Sequence, residues 1–191
     1  MAFNKNYLLK VDTALVGQRI VLRRFRENDG KALYELVRDN TAFIEDYLPM
    51  TLKFNSTKNE AEWFVRRSIA DWLNAQSYTF GIWHTKTAGL IGMLKIFHID
   101  WRVPKGEVAF FVDHEFSGQG LMTEALTLAA DFALTELKME RLFLRTAADN
   151  YGCLRVARKC GFLREGILRN DFKTQAGTLI DSVIFGLPKN S

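Results

Sequence analysis

The sequence predicts an α+β fold, with a mainly antiparallel sheet interrupted near its centre by one strand–loop–helix crossover. Short β-rich apolar runs and stretches of helical period follow in the order strand, two helices, three strands, helix, strand, helix, two strands. The buried run over residues 107–113 passes through a two-glycine turn directly into a helix. With 48% hydrophobic and 25% charged residues in a chain of 191, there is material for a substantial core within one domain, residues 1–191.

The elements follow in order. Residues 19–25, RIVLRRF, alternate enough for a strand. Glu27, Asn28 and Asp29 open a helix running to Val37, with acid at its positive end. Residues 40–57 read as loop with a short helix. Ser56 or Thr57 caps the next helix, on which Ala61, Phe64, Ser68 and Trp72 share a face. Residues 78–84 and 90–97 are strands joined by a turn over 85–89, and EVAFFVD at 107–113 is a third. The turn Ser117-Gly118-Gln119-Gly120 leads into a helix over 121–137, whose apolar residues Met122, Ala125, Ala129, Phe132, Ala133 and Leu137 recur at helical spacing. Residues 141–146 form a strand, Asn150 caps a helix that Gly161 stops, and 162–166 and 180–187 complete the strands.

Bulk properties exclude several classes. No apolar run approaches the ~20 residues that span a bilayer. The opening MAFNKNYLLKVD lacks the apolar core and cleavage site of a secretory signal, so cytoplasm is the expected compartment. Cys153 and Cys160 lie on one expected helix, roughly 10 Å apart along its axis, too far for a disulfide. They are expected as reduced thiols, and no metal site is expected. A net charge of +4 is compatible with a phosphate-bearing partner, but no basic stripe with interleaved aromatics marks a nucleic-acid surface.

The glycine turn carries the sharpest chemical signal. Glycines admit backbone conformations closed to other residues. The first amides of the following helix have no partner inside it and share its positive end. Together these make an anion cradle that suits a diphosphate. It is not the dinucleotide pattern, since the third glycine position holds Thr123, and no phosphate loop of the GxxxxGK type occurs.

SGQGLMTEA at 117–125, preceded by the GEVAFFVD strand, resembles the acetyl-CoA-binding motif of the GNAT superfamily of N-acetyltransferases. NYGCLRVARKCGF at 150–162, continuing through Glu165 and Gly166 to Leu168 and Arg169, resembles that superfamily's second motif. The pair is most similar to the branch of ribosomal-protein N-terminal (alanine/serine) acetyltransferases, and the resemblance extends over residues 19–187. It implies a GNAT-like mixed sheet in which two central strands splay apart to admit the pantetheine arm of acetyl-CoA, with flanking helices. It also implies that Phe111 and Val112 offer backbone groups to the pantetheine amides. The amides of the segment Ser117, Gly118, Gln119, Gly120, Leu121, Met122 and Thr123 would hold the diphosphate, and Asn150 would touch the CoA arm. Serine at 117, where many members have arginine or glutamine, shifts the load to backbone amides and Gln119.

The implied reaction is attack of a neutral amine on the thioester carbonyl, through a tetrahedral oxyanion, with expulsion of a thiolate. It calls for a proton acceptor, oxyanion donors and a proton donor to sulfur. The resemblance offers Glu107 as a base acting through water, the Val112 amide for the oxyanion, and Cys153, where the branch has serine, as the acid. The tyrosine that many members use as acid is replaced by Ala157, and Tyr151 is a weaker candidate. An α-amine titrates near pH 8 and a lysine near 10.4, which favours an α-amine when the base is weak. Trp101 is a candidate for the acceptor groove, Trp63 and Trp72 for the core, and Asp181, with Asn170 and Asp171, for the acceptor end. His84, His98 and His114 have no partner spacing. The expected acceptor is a protein N-terminus, possible alternatives being a small amine (antibiotic, polyamine or aminoacyl nucleotide) or a non-catalytic CoA-binding module. The molecule would be a monomer or homodimer.

Overall fold

A computed structural model describes residues 14–189. The opening segment read for a signal peptide lies outside them. Eight strands form one sheet in the order β1-β2-β3-β4-β5-β6-β8-β7. They are β1 (Ala14–Val16), β2 (Ile20–Arg24), β3 (Tyr78–His84), β4 (Leu90–Asp100), β5 (Lys105–Val112), β6 (Arg141–Ala147), β7 (Leu163–Lys173) and β8 (Leu179–Pro188). Every neighbouring pair is antiparallel except β5 with β6. The helices are α1 (Gly30–Asp39), α2 (Thr41–Ile44), α3 (Pro49–Phe54), α4 (Lys58–Leu73), α5 (Leu121–Asp131) and α6 (Tyr151–Lys159).

Strand parity divides the side chains between two faces. Leu94, Ile96 and Val108 are buried in the cluster that holds Leu121, Ala125, Leu126 and Ala129 of α5. Met93 and Phe111, cross-strand partners of the opposite parity, pack with Leu33, Leu36 and Val37 of α1 and Val65 of α4. Further along that second face, Lys95 stands opposite Ala109, and Phe97 opposite Glu107. Here the face is open.

Several elements depart from expectation. Residues 40–57 carry two short helices instead of one, and β1 is an additional strand. Asp29 does not cap α1 with its side chain; its carboxylate accepts from Arg23 Nη1 at 2.7 Å and from the Arg26 amide at 2.7 Å. Thr57 caps α4 by accepting from the Glu60 amide. The helix expected over 121–137 is α-helical only to Asp131 and widens into a π-turn over Phe132–Glu136. That turn seats Phe132 edge-on against Tyr78 and Phe80. Both β7 and β8 are longer than expected and form a hairpin at the sheet edge. Trp72 is buried in the core as expected, whereas Trp63 is 52% exposed.

Candidate active site

The parallel pair at the centre of the sheet is short. β5 and β6 are in register only at Lys105↔Arg141, Gly106↔Leu142 and Glu107↔Phe143. Beyond Glu107 the strands part, because β5 stays paired to β4 as far as Val112 while β6 stays paired to β8 as far as Ala147. The gap opens into a cavity of about 950 Å³. One end holds the glycine turn and the start of α6, the other an aromatic groove floored by β4 and β5 and walled by Phe43, Tyr47, Trp63 and Phe64.

The turn is built as the sequence requires. Gly118 and Gly120 adopt φ +75° and +81°, in the left-handed region. A methyl group would find open space at Gly118 and only the Arg19 guanidinium, at 3.6 Å, at Gly120. Their role is therefore backbone conformation, not room for a neighbour. Gly120 is the N-cap of α5 and offers no side chain to the first amides of the helix, so those amides face the cavity unpaired by a cap. Ser117, Gly118, Gly120, Leu121, Met122 and Thr123 line the cavity. Gln119 is an exception. Its side-chain amide donates to the Glu115 carbonyl at 3.0 Å and lies outside the lining, so it braces the loop and supplies no ligand contact from its side chain.

A second brace comes from Arg19. Its Nη1 donates to the Gln119 carbonyl at 2.9 Å, and its amide and Nε donate to the two carboxylate oxygens of Glu124, each at 2.9 Å. Burial opposes ionisation of Glu124, but the donors from Arg19 outweigh it and hold the carboxyl below its ordinary value. Glu124 was legible as part of the motif. Arg19, about a hundred residues earlier, carried no local signal for this contact.

Glu107 is buried where the strands separate. Arg145 of β6 grips it with two bonds, Nε to Oε1 at 2.9 Å and Nη2 to Oε2 at 3.0 Å. The third guanidinium nitrogen reaches both oxygens of Asp171 at 3.2 Å, tying the start of the gap to β7. Hydrogen bonding to Glu107, then its charge and that of Asp171, raise the Arg145 guanidinium further above its already high value. His98 sits in a register shift of β4 with φ +49°, and this left-handed turn brings its Nδ1 to 2.8 Å from Glu107 Oε2. A carboxylate only accepts, so Nδ1 carries the proton. Three of roughly four lone-pair directions on Glu107 are thus occupied. The sequence singled out Glu107 but neither Arg145 nor His98.

On α6, Asn150 caps the helix by accepting from the Cys153 amide at 3.0 Å, and both residues line the cavity. Burial pushes the Cys153 thiol up to about 11, with a bond to Thr146 lowering it in part. It is fully protonated at neutral pH. Cys160 instead donates to the Thr123 carbonyl at 3.4 Å and packs at the α5–α6 contact. Phe111 and Val112 line the cavity. Tyr151 is 68% exposed and lies outside the lining. Trp101 does not reach the aromatic groove: its indole donates to the Ala75 carbonyl at 3.1 Å and packs on the core. Asp181 accepts from the Asn170 amide, a bond internal to the β7–β8 hairpin, and Asp171 is the acid that enters the site. Among the described residues no cluster of three metal-ligating side chains occurs, and no helix is long and apolar enough to cross a membrane.

The acetyltransferase (GNAT) domain model matches residues 19–163, which includes the glycine turn, the splayed strands and α6. The chain belongs to the GNAT acetyltransferase family. It is 29% identical over 167 residues to a Bacillus subtilis (strain 168) protein named "Probable N-acetyltransferase YjcK", covering 83% of this chain and 88% of that one. It is 23% identical over 158 residues to the ribosomal-protein-serine acetyltransferase of Escherichia coli (strain K12), covering 83% and 87%. Against the spermidine N(1)-acetyltransferase of the same organism it is 34% identical, but over 85 residues, 44% of each chain. The fold superposes on the ribosomal L7/L12 alpha-N-protein acetyltransferase RimL in complex with coenzyme A with a TM-score of 0.85 at 21% identity, covering 91% and 96%. As a GNAT acetyltransferase, this GNAT chain is an enzyme whose acetyl donor is acetyl-CoA.

Proposed function

We propose that this GNAT enzyme transfers the acetyl group to the N-terminal α-amine of a protein. One observation carries the choice of amine: the acid at the junction of donor gap and acceptor groove, Glu107, is already held by Arg145 and His98. Three donors already occupy that carboxylate, and its remaining lone pair suits a single water. An α-amine, with its pKa near 8, is already about a tenth neutral at pH 7, whereas a lysine near 10.4 is neutral in fewer than about one molecule in a thousand. A ribosomal protein is a natural candidate acceptor in view of the serine acetyltransferase relative.

In this reading the diphosphate of acetyl-CoA lies on the amides from Gly118 to Thr123, and the pantetheine arm extends β5 at Phe111 and Val112 in place of β6. The Val112 amide stabilises the oxyanion. The amine attacks the thioester carbon, its proton passes through water to Glu107, and the C–S bond breaks as the Cys153 thiol protonates the departing sulfur. Cys153 then recovers its proton from solvent. Much of the rate comes from holding amine and thioester together.

A polyamine acceptor would want free carboxylates. Those lining the cavity are Asp71, Glu107 and Asp171, and Arg145 holds the last two. The test is CoA release with peptides that have a free N-terminus, set against the same peptides blocked at the N-terminus but carrying a lysine. Turnover confined to the free N-termini is expected; turnover of the lysine peptides alone would refute the reading.

A further inference from the structure

The acceptor groove holds cations that nothing in the proposed chemistry uses. Lys95, half-buried on the floor, stands opposite Ala109 on the same sheet face as Phe97 and Glu107. Its ammonium lies 6.0 Å from the centroid of Phe64 and 5.9 Å from that of Phe97. It forms no hydrogen bond or ion pair among the described residues. On the helix above, Arg67 also lines the groove and, among the described residues, is held only by stacking, 5.4 Å from the Trp63 ring. Asp71 is the nearby acid; it accepts a bond from Ser77 at 3.4 Å and is near enough to favour the Lys95 charge without pairing to it. Burial acts more strongly in the other direction, the Arg67 charge adds to it, and together they lower the Lys95 pKa. A charge taken partly out of water and left unpaired is unfavourable unless something else satisfies it.

We propose that Lys95 and Arg67 form an anion subsite in the acceptor groove, and that the acceptor is a protein N-terminus bearing an acidic side chain at its second or third residue. The spacing sets the position. Lys95 lies two residues along β4 from Phe97, about 7 Å, which is the span of two residues of extended peptide. With the α-amine at Glu107, a carboxylate at that distance meets the ammonium. The aromatic walls take the intervening apolar atoms. The same cations disfavour any acceptor that carries further positive charge, so spermidine is disfavoured by repulsion. This inference rests on the α-amine reading and adds the acceptor's charge to it.

The experiment compares kcat/KM, at saturating acetyl-CoA, for two hexapeptides that differ only by Glu or Gln at position 3, with spermidine as a third acceptor. The native enzyme should prefer the acidic peptide at least tenfold. Lys95→Met should bring the ratio close to one, Lys95→Glu should invert it, and Arg67→Gln should reduce it in part. Acetyl-CoA affinity by calorimetry and an unchanged melting temperature verify that the variants are folded. Equal use of both peptides by the native enzyme, or a preference that survives Lys95→Met, overturns the anion subsite while leaving the α-amine reading intact. Acetylation of spermidine with no turnover of either peptide overturns both.

Discussion

In the proposed mechanism Glu107 and Cys153 divide the proton transfers, and their surroundings give them different sensitivities. Glu107→Gln keeps the shape but removes the charge that faces Arg145 and the lone pair offered to water. A loss of kcat of about 10- to 100-fold, at the low end of general-base effects, is expected, with acetyl-CoA affinity within twofold by calorimetry. Arg145→Ala leaves Glu107 buried with only the His98 bond, and should lower stability by about 2 kcal/mol, measured by urea denaturation. Cys153 makes a pH prediction. Burial raises its thiol to about 11 in the folded chain, from an ordinary value of 9.0 when unfolded. Between those values the unfolded chain binds fewer protons, so stability falls as pH rises through that window. Cys153→Ala should lose this part of the decline, seen as a difference in denaturation free energy that appears above pH 9 and is absent at pH 7.

At the scale of elements, the glycine turn and its braces shape the anion cradle. Alanine at Gly118 must occupy φ +75°, where a side chain costs roughly 1–2 kcal/mol. Gly118→Ala should therefore weaken acetyl-CoA binding about tenfold, and Arg19→Ala, which releases the Gln119 carbonyl and Glu124, should act in the same direction by calorimetry. The turn was legible because its signal is local: two glycines between a buried strand and a helical period. The strands β3, β4 and β5 were legible for the same reason. β7 was legible only at its start, because most of its residues are exposed at the sheet edge, so no alternation marks where it ends. The helices α2 and α3 span 4 and 6 residues, too short to show a period. The π-turn at Phe132 is set by ring packing against Tyr78 and Phe80, which only the assembled sheet supplies. Arg145 and Lys95 escaped notice, and His98 was read as lacking a partner, because each gains its meaning from a neighbour across the sheet.

For the whole molecule, one architectural fact organises the rest: two adjacent parallel strands share three register pairs and then part. The separation is held by the partners on either side, β4 and β8, and by the core beneath. Trp72, Tyr78, Phe80 and Phe132 form the aromatic centre of that core. Phe132→Ala should cost about 3–5 kcal/mol, lowering the melting temperature while sparing the local chemistry in whatever fraction stays folded. The central claim is that the amides from Gly118 to Thr123 hold the diphosphate of the donor, and that the gap alone does not suffice. Titration calorimetry with acetyl-CoA and with acetyl-pantetheine, which shares the arm and thioester but lacks the diphosphate and nucleoside, tests it directly. Micromolar binding of acetyl-CoA, weakened by Gly118→Ala, with acetyl-pantetheine at least a hundredfold weaker, is the predicted result. Equal affinity for the two, or no association with acetyl-CoA at millimolar concentration, would contradict it.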